Sequence, residues 1–151
     1  MKKHNFTLVV LSIFLLIANF NTTDKTFADE DKNIKEALNY INSGYNKEAI
    51  PILQNALREN PNNITAAFLL GMAYMNLNNY DEAIYWFKYV TSIDNRYITA
   101  YYMLALIYEA KKEYSTSKYY WERVKVLAFS LNDKNLQETA TRHIERLSGE
   151  K

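Results

Sequence analysis

The stretch 63–95 recurs along this chain, once 34 residues earlier and once 34 residues later. Tyr74 falls on Tyr40 and Tyr108, Ala83 on Ala49 and Ser117, and Phe87 on Leu53 and Trp121. Leu70 falls on Leu104, and Tyr80 on Tyr114. A unit of this length has room for two helices and their turns, and one such pair cannot bury its apolar face alone. The units must therefore stack. The expected fold class is all-α: an α-solenoid of three helix hairpins with a C-terminal capping helix. A stack of this kind suits binding better than catalysis.

Apolar spacing fills in the units. In 31–43, Ile34, Ala37, Leu38 and Ile41 recur at three and four residues, the mark of an amphipathic helix, and Gly44 ends it in a left-handed turn. A second helix is expected over about 47–58, with Ala49, Ile52, Leu53 and Ala56 inward and Pro51 in or just past its first turn. The turn at Asn60-Pro61-Asn62-Asn63 precedes helices at 64–77 and 81–92, with Asp81 as the N-cap of the latter. Helices at 99–110 and 115–129 form the third pair. The cap helix, about 133–148, carries Leu136, Ala140, Ile144 and Leu147 on one stripe and charge elsewhere, which keeps the end of an open stack soluble. The repeats span about 30–62, 63–96 and 97–130.

The N-terminus reads as an address. Lys2 and Lys3 precede the apolar run Phe6–Phe20, which as a helix would rise roughly 22 Å, short of a hydrocarbon core of about 30 Å. Thr26-Phe27-Ala28 places small residues where a signal peptidase needs them. Residues 1–28 are expected to be a secretory signal peptide, leaving a working domain at 29–151 that is exported, periplasmic or secreted. The alternative is an uncleaved anchor, the one route by which a membrane would be involved.

Removing Lys2, Lys3, Lys25 and Asp24 with that segment takes the net charge from +1 to −1. A near-neutral body has no electrostatic footprint for nucleic acid. The chain has no Cys, which excludes disulfides, thiolate chemistry and Cys-bound zinc.

These residues resemble the tetratricopeptide repeat (TPR) family, whose pattern sets a large residue, Leu-Gly, Tyr, Ala, an aromatic and Pro at fixed offsets. The middle repeat shows Leu70-Gly71, Tyr74, Tyr80, Glu82-Ala83 and Phe87. The first shows Tyr40, Gly44, Glu48-Ala49, Ala56 and Pro61; the third shows Tyr101, Leu104-Ala105, Tyr108, Tyr114 and Trp121. Departures are Ala67 at a large-residue place, Ser117 at a small one, and Asn95 and Phe129 in place of Pro. The resemblance implies a right-handed solenoid whose first helices line a concave groove for an extended peptide or a helix.

On that geometry the groove-facing stripe is Phe68, Met72, Met75 and Asn76 in the second repeat. It continues as Thr99, Tyr102, Leu106 and Glu109 in the third, and as Ile34, Leu38, Ile41 and Asn42 in the first. The candidate peptide-binding residues are thus Ile34, Leu38, Phe68, Met72, Met75, Asn76, Tyr102, Leu106 and Glu109. Family members that clamp a peptide carboxylate use Lys, Arg and Asn where this chain has Ile34, Leu38, Leu69, Thr99 and Met103, so no carboxylate clamp is expected. An apolar groove suits an apolar strand or an amphipathic helix, with Asn76 bonding a peptide backbone and Glu109 selecting a basic residue. The competing readings are that the groove is filled by the chain's own N-terminal segment, by a second copy, or by tight closure of the stack. On the outer side, Tyr85, Tyr89 and Tyr119 are expected to form an aromatic patch near Lys88.

Catalytic patterns fare poorly. Ser115 and Lys118 have S-x-x-K spacing, but the Ser-Asp-Asn and Lys-Thr-Gly elements of penicillin-recognising enzymes do not accompany them, and Ser115 serves as an N-cap. His143 is the only His after residue 4, so no His pair exists for zinc. Asp81 and Glu82 read as helix-start charges, and Asn63 in Asn63-Ile64-Thr65 as a turn residue rather than a glycan acceptor. The function expected is a non-catalytic scaffold or adaptor outside the cytoplasm, needing no cofactor and no metal and holding a protein or peptide partner. The alternative is a self-associating structural protein of the cell envelope, a homo-oligomer.

Overall fold

The computed structural model describes residues 32–149; the expected signal peptide lies outside them. Seven helices and no strand occur among the described residues. They are α1 (32–42), α2 (Asn46–Glu59), α3 (Ile64–Asn76), α4 (Tyr80–Ile93), α5 (Ile98–Ala110), α6 (Tyr114–Ser130) and α7 (Lys134–Gly149). From α2 onward, extensive packing joins each helix to the next in the chain. That nearest-neighbour pattern is a solenoid, not a bundle closed round a centre.

The period is visible in the backbone. The N–H groups of Tyr45, Asn79 and Glu113 donate to the carbonyls of Tyr40, Tyr74 and Tyr108 at 2.8–2.9 Å. Each inner helix therefore ends in the same Schellman turn, with Gly44, Asn78 and Lys112 at the left-handed position (φ 82°, 58° and 61°). The turn between α6 and α7 repeats the device, with Asn132 at φ 56° and the Asp133 N–H on the Ala128 carbonyl at 2.9 Å.

Packing follows the same ladder. Ala37, Gly71 and Ala105 are buried on the first helices, facing buried Ala49, Ala83 and Ser117 on the second. Small residues at both places let the paired backbones approach. Beside them Leu53, Phe87 and Trp121 are fully buried and fill the wedge that the close approach leaves. Ser117, the polar member of the ladder, donates its hydroxyl to the Ala105 carbonyl at 2.9 Å and so costs little as a buried group.

Pro51 is the sixth residue of α2, just past its first turn. Its missing N–H leaves the carbonyl of Lys47 without its helical donor, and Lys47 is an exposed residue, where water can take that place. Helix starts depart from expectation in two places. Helix α4 begins one residue before Asp81, at Tyr80, with Asn79 as N-cap. Helix α6 likewise begins at Tyr114, which puts Ser115 inside its first turn. In both cases the preceding Schellman turn sets where the next helix can start. Asn63 accepts from the Ala66 N–H at 2.8 Å and Asp133 from the Leu136 N–H at 3.0 Å, capping α3 and α7.

Candidate functional site

Helix α3 carries no charged residue and α5 carries only Glu109, so the face they share is apolar from the sequence upward. Met72, Met75, Tyr102 and Leu106 are half-buried there and Asn76 is exposed. A hollow of about 370 Å³ opens between the two helices, bringing Met75, Asn76 and Leu106 together with Asn78, Tyr80, Ile107 and Ala110. A second, of about 200 Å³, lies at the other end of α5 and is lined by Ile98, Thr99, Tyr102 and Leu136 of α7.

The remaining candidates stand apart. Phe68 leans on Phe87 and Tyr97, with ring centroids 5.5 and 5.3 Å away. Tyr102 repeats that contact one period on, meeting Trp121 edge-on at 5.0 Å. Both rings therefore brace the hairpin while presenting one edge to the face. Ile34 is half-buried and Leu38 exposed on α1, and neither lines the two hollows. The Asn76 amide donates to Oδ1 of the buried Asn46 at 2.9 Å, which fixes its orientation at the rim.

Glu109 is engaged within the chain. Its carboxylate accepts from Nε1 of Trp121 at 3.3 Å and from the Arg146 guanidinium, and lies 3.0 Å from Nδ1 of His143. Burial pushes this carboxyl upward, but the bonds from Arg146, His143 and Trp121 outweigh it and hold it below the usual carboxylate value. The His143 ring stacks on Trp121 with centroids 4.0 Å apart. With Arg146 already beside it, Glu109 closes the α5–α7 end of the face instead of standing as an open charge for a basic ligand residue. Spacing held a clue to this network: His143 lies one period after Glu109, which places α7 where the first helix of a fourth repeat would sit. Tyr80, Ile107, Ala110 and Leu136 were not legible as lining residues.

The other candidates have structural partners. Lys118 donates to the Ser148 hydroxyl of α7 at 2.8 Å, and Ser115 is exposed. Asp81 pairs with Lys111 at 2.7 Å across the turns that begin α4 and α6. On the outer surface Tyr85 and Tyr119 are exposed, whereas Tyr89 is half-buried and donates to the Pro61 carbonyl at 2.9 Å. Lys88 lies over the Tyr108 ring at 5.7 Å. Among the described residues no cluster of His, Asp and Glu could hold a metal ion, and no helix is long and apolar enough to cross a membrane.

A tetratricopeptide repeat profile matches residues 40–87, from the end of α1 through α2 and α3 into α4. Over that stretch the chain carries the tetratricopeptide repeat pattern. No curated protein matches it. Among solved structures, the type III secretion translocator chaperone SycD of Yersinia enterocolitica, in complex with a peptide of the translocator YopD, is similar at a TM-score of 0.73 and 18% identity. That match covers 78% of this chain and 91% of SycD. The TPR2B domain of yeast Sti1, in complex with a pHsp70, gives a TM-score of 0.73 at 16% identity, covering 81% of this chain and 98% of that one. The TPR domain of Sgt2 from Aspergillus fumigatus gives 0.66 at 23% identity, covering 80% and 82%. At these identities the likeness is one of fold. The hairpins here are thus the stacked α-solenoid that the period implies.

Proposed function

We propose that this TPR protein is a non-catalytic adaptor outside the cytoplasm that holds a segment of a partner protein against the concave face of α3 and α5. The observation that carries the reading is the open, uncharged hollow at Met75 and Leu106, with the oriented Asn76 amide on its rim. Apolar surface that stays accessible between packed helices is where a partner gains most by covering it. The complexes of SycD with a peptide of YopD and of the Sti1 TPR2B domain with pHsp70 are in keeping with this use of the fold. Export rests on residues 1–28 alone. Met72→Glu together with Met75→Glu puts two carboxylates on the face without touching the buried ladder. Crosslinking in the native host should lose the captured partner in that variant while far-UV circular dichroism stays unchanged. Equal capture by the double variant would move the site off this face.

One observation favours self-association as a second reading. Val126, Phe129 and Leu131 are 58%, 76% and 56% exposed at the end of α6, where the preceding repeat has Ser92, Asn95 and Tyr97. Light scattering at micromolar concentration should then give a multiple of the chain mass that falls to the monomer in Phe129→Asn. A monomeric mass in the parent chain removes this reading.

A further inference from the structure

Helix α7 differs from the other helices in how it is fastened. Its apolar stripe, Ala140, Ile144 and Leu147, is buried in the common core. Two of its polar side chains, His143 and Arg146, converge on a single acceptor, the Glu109 carboxylate of α5. The same carboxylate takes the indole N–H of Trp121 in α6. One side chain therefore ties three helices at the point where the stack ends. Its side chain is only 19% exposed, so its contacts are poorly screened.

We propose that Glu109 is a positioning residue that makes the docking of α7 conditional on its charge: protonation of this one carboxylate releases the end helix and uncovers the Trp121–Tyr102 edge of the face, lengthening it by one helix slot. The groups that face Glu109 are His143 and Arg146 from α7 and Trp121 from α6; α5 itself contributes no other charge. Arg146 stays cationic throughout; Nδ1 of His143 lies 3.0 Å from Glu109 and 3.1 Å from the Arg146 guanidinium, so it donates to the carboxylate when the ring is charged or holds its proton on Nδ1. The acid-sensitive event is thus the loss of the carboxylate. A protonated Glu109 retains one hydroxyl that must itself donate, and the three inward-pointing donors then compete for what acceptor capacity remains. Because the folded carboxyl titrates below its ordinary value, the stabilisation is complete above the ordinary carboxylate range and disappears as pH falls through the lower folded value. Release at this latch leaves the first two hairpins untouched, because they share no contact with α7 of comparable extent.

The test uses the full chain in a Trp86→Phe background, so that Trp121 is the sole indole. Lowering the pH from 6 to 3 should red-shift Trp121 emission and raise its acrylamide quenching constant about twofold or more, while most of the far-UV helix signal persists. With Glu109→Gln added, the exposed-type emission should already be present at pH 6 and should not change with pH. With Arg146→Met instead, the carboxylate loses its fixed cation, so release should occur at a higher pH than in the parent. Flat quenching down to the acid limit at which the far-UV helix signal itself collapses overturns the proposal, as does an unshifted midpoint in Arg146→Met. If Glu109→Gln fails to fold, the Arg146→Met midpoint decides alone.

Discussion

Gly71 and Phe87 meet so closely across the α3–α4 hairpin that a β-carbon at position 71 would lie 2.8 Å from Cε1 of Phe87. The glycine is needed for approach, not for a special backbone angle: it sits within α3, between Leu70 and Met72. In the flanking hairpins Ala37 and Ala105 occupy this place, opposite Leu53 and Trp121. Gly71→Ala should therefore destabilise the chain by about 1–3 kcal/mol, the usual cost of overpacking a filled core. Thermal denaturation should show the loss, and Phe87→Leu in the same chain should recover part of it by copying the first hairpin. Recovery would show that the ring, not helix propensity, sets the cost.

Deleting the wedge itself should cost more. Phe87 is fully buried and Phe68 rests on it, so Phe87→Ala should lose about 3–5 kcal/mol in urea denaturation. Trp121→Ala should fall in the same range and should also remove the ring on which His143 stacks and the indole donor to Glu109. A loss below about 1 kcal/mol at either place would mean that the hairpins do not depend on filling the wedge.

Lys112 holds the left-handed position that Gly44 and Asn78 hold in the other hairpins, at φ 61°. A β-carbon there is strained by roughly 1–2 kcal/mol, and the side chain points into solvent. Lys112→Gly should stabilise the protein by about 0.5–1 kcal/mol after the extra chain entropy of glycine is subtracted. The converse change, Gly44→Ala, should destabilise by a similar amount. Two melting curves check both.

The tyrosines of the third hairpin give an alkaline prediction. Tyr120 is pushed up to about 12, first by burial and then by Tyr108, Tyr119 and Tyr101, with Tyr108 stacked on it at 5.4 Å. A group whose folded value lies above its unfolded one supports the fold below the unfolded value, near 10, and withdraws that support as pH rises towards 12. Urea midpoints should fall steadily between pH 10 and 12. The fall should be smaller in Tyr120→Phe; equal slopes would place the effect on the half-buried Tyr74 and Tyr97, whose values burial also raises.

How far the sequence reaches is clear from particular residues. The 34-residue spacing alone puts Leu53, Phe87 and Trp121 in one buried row and Gly44, Asn78 and Lys112 in one turn, because equivalent positions in stacked units share an environment. The same logic located the apolar stripe of α3 and α5. What it could not supply were contacts between positions that are not equivalent. Tyr80 reaches the hollow beside Leu106, and Arg146 reaches Glu109, only through the angle at which one hairpin lies on the next. Helix starts were missed for a related reason: Asn79 and Glu113 precede α4 and α6 because the Schellman turns before them are already closed, whatever capping residue follows. Local pattern decided the units and their buried ladder; stacking geometry decided which side chains meet at the seams, and so turned Glu109 from an open groove charge into the fastening of the last helix.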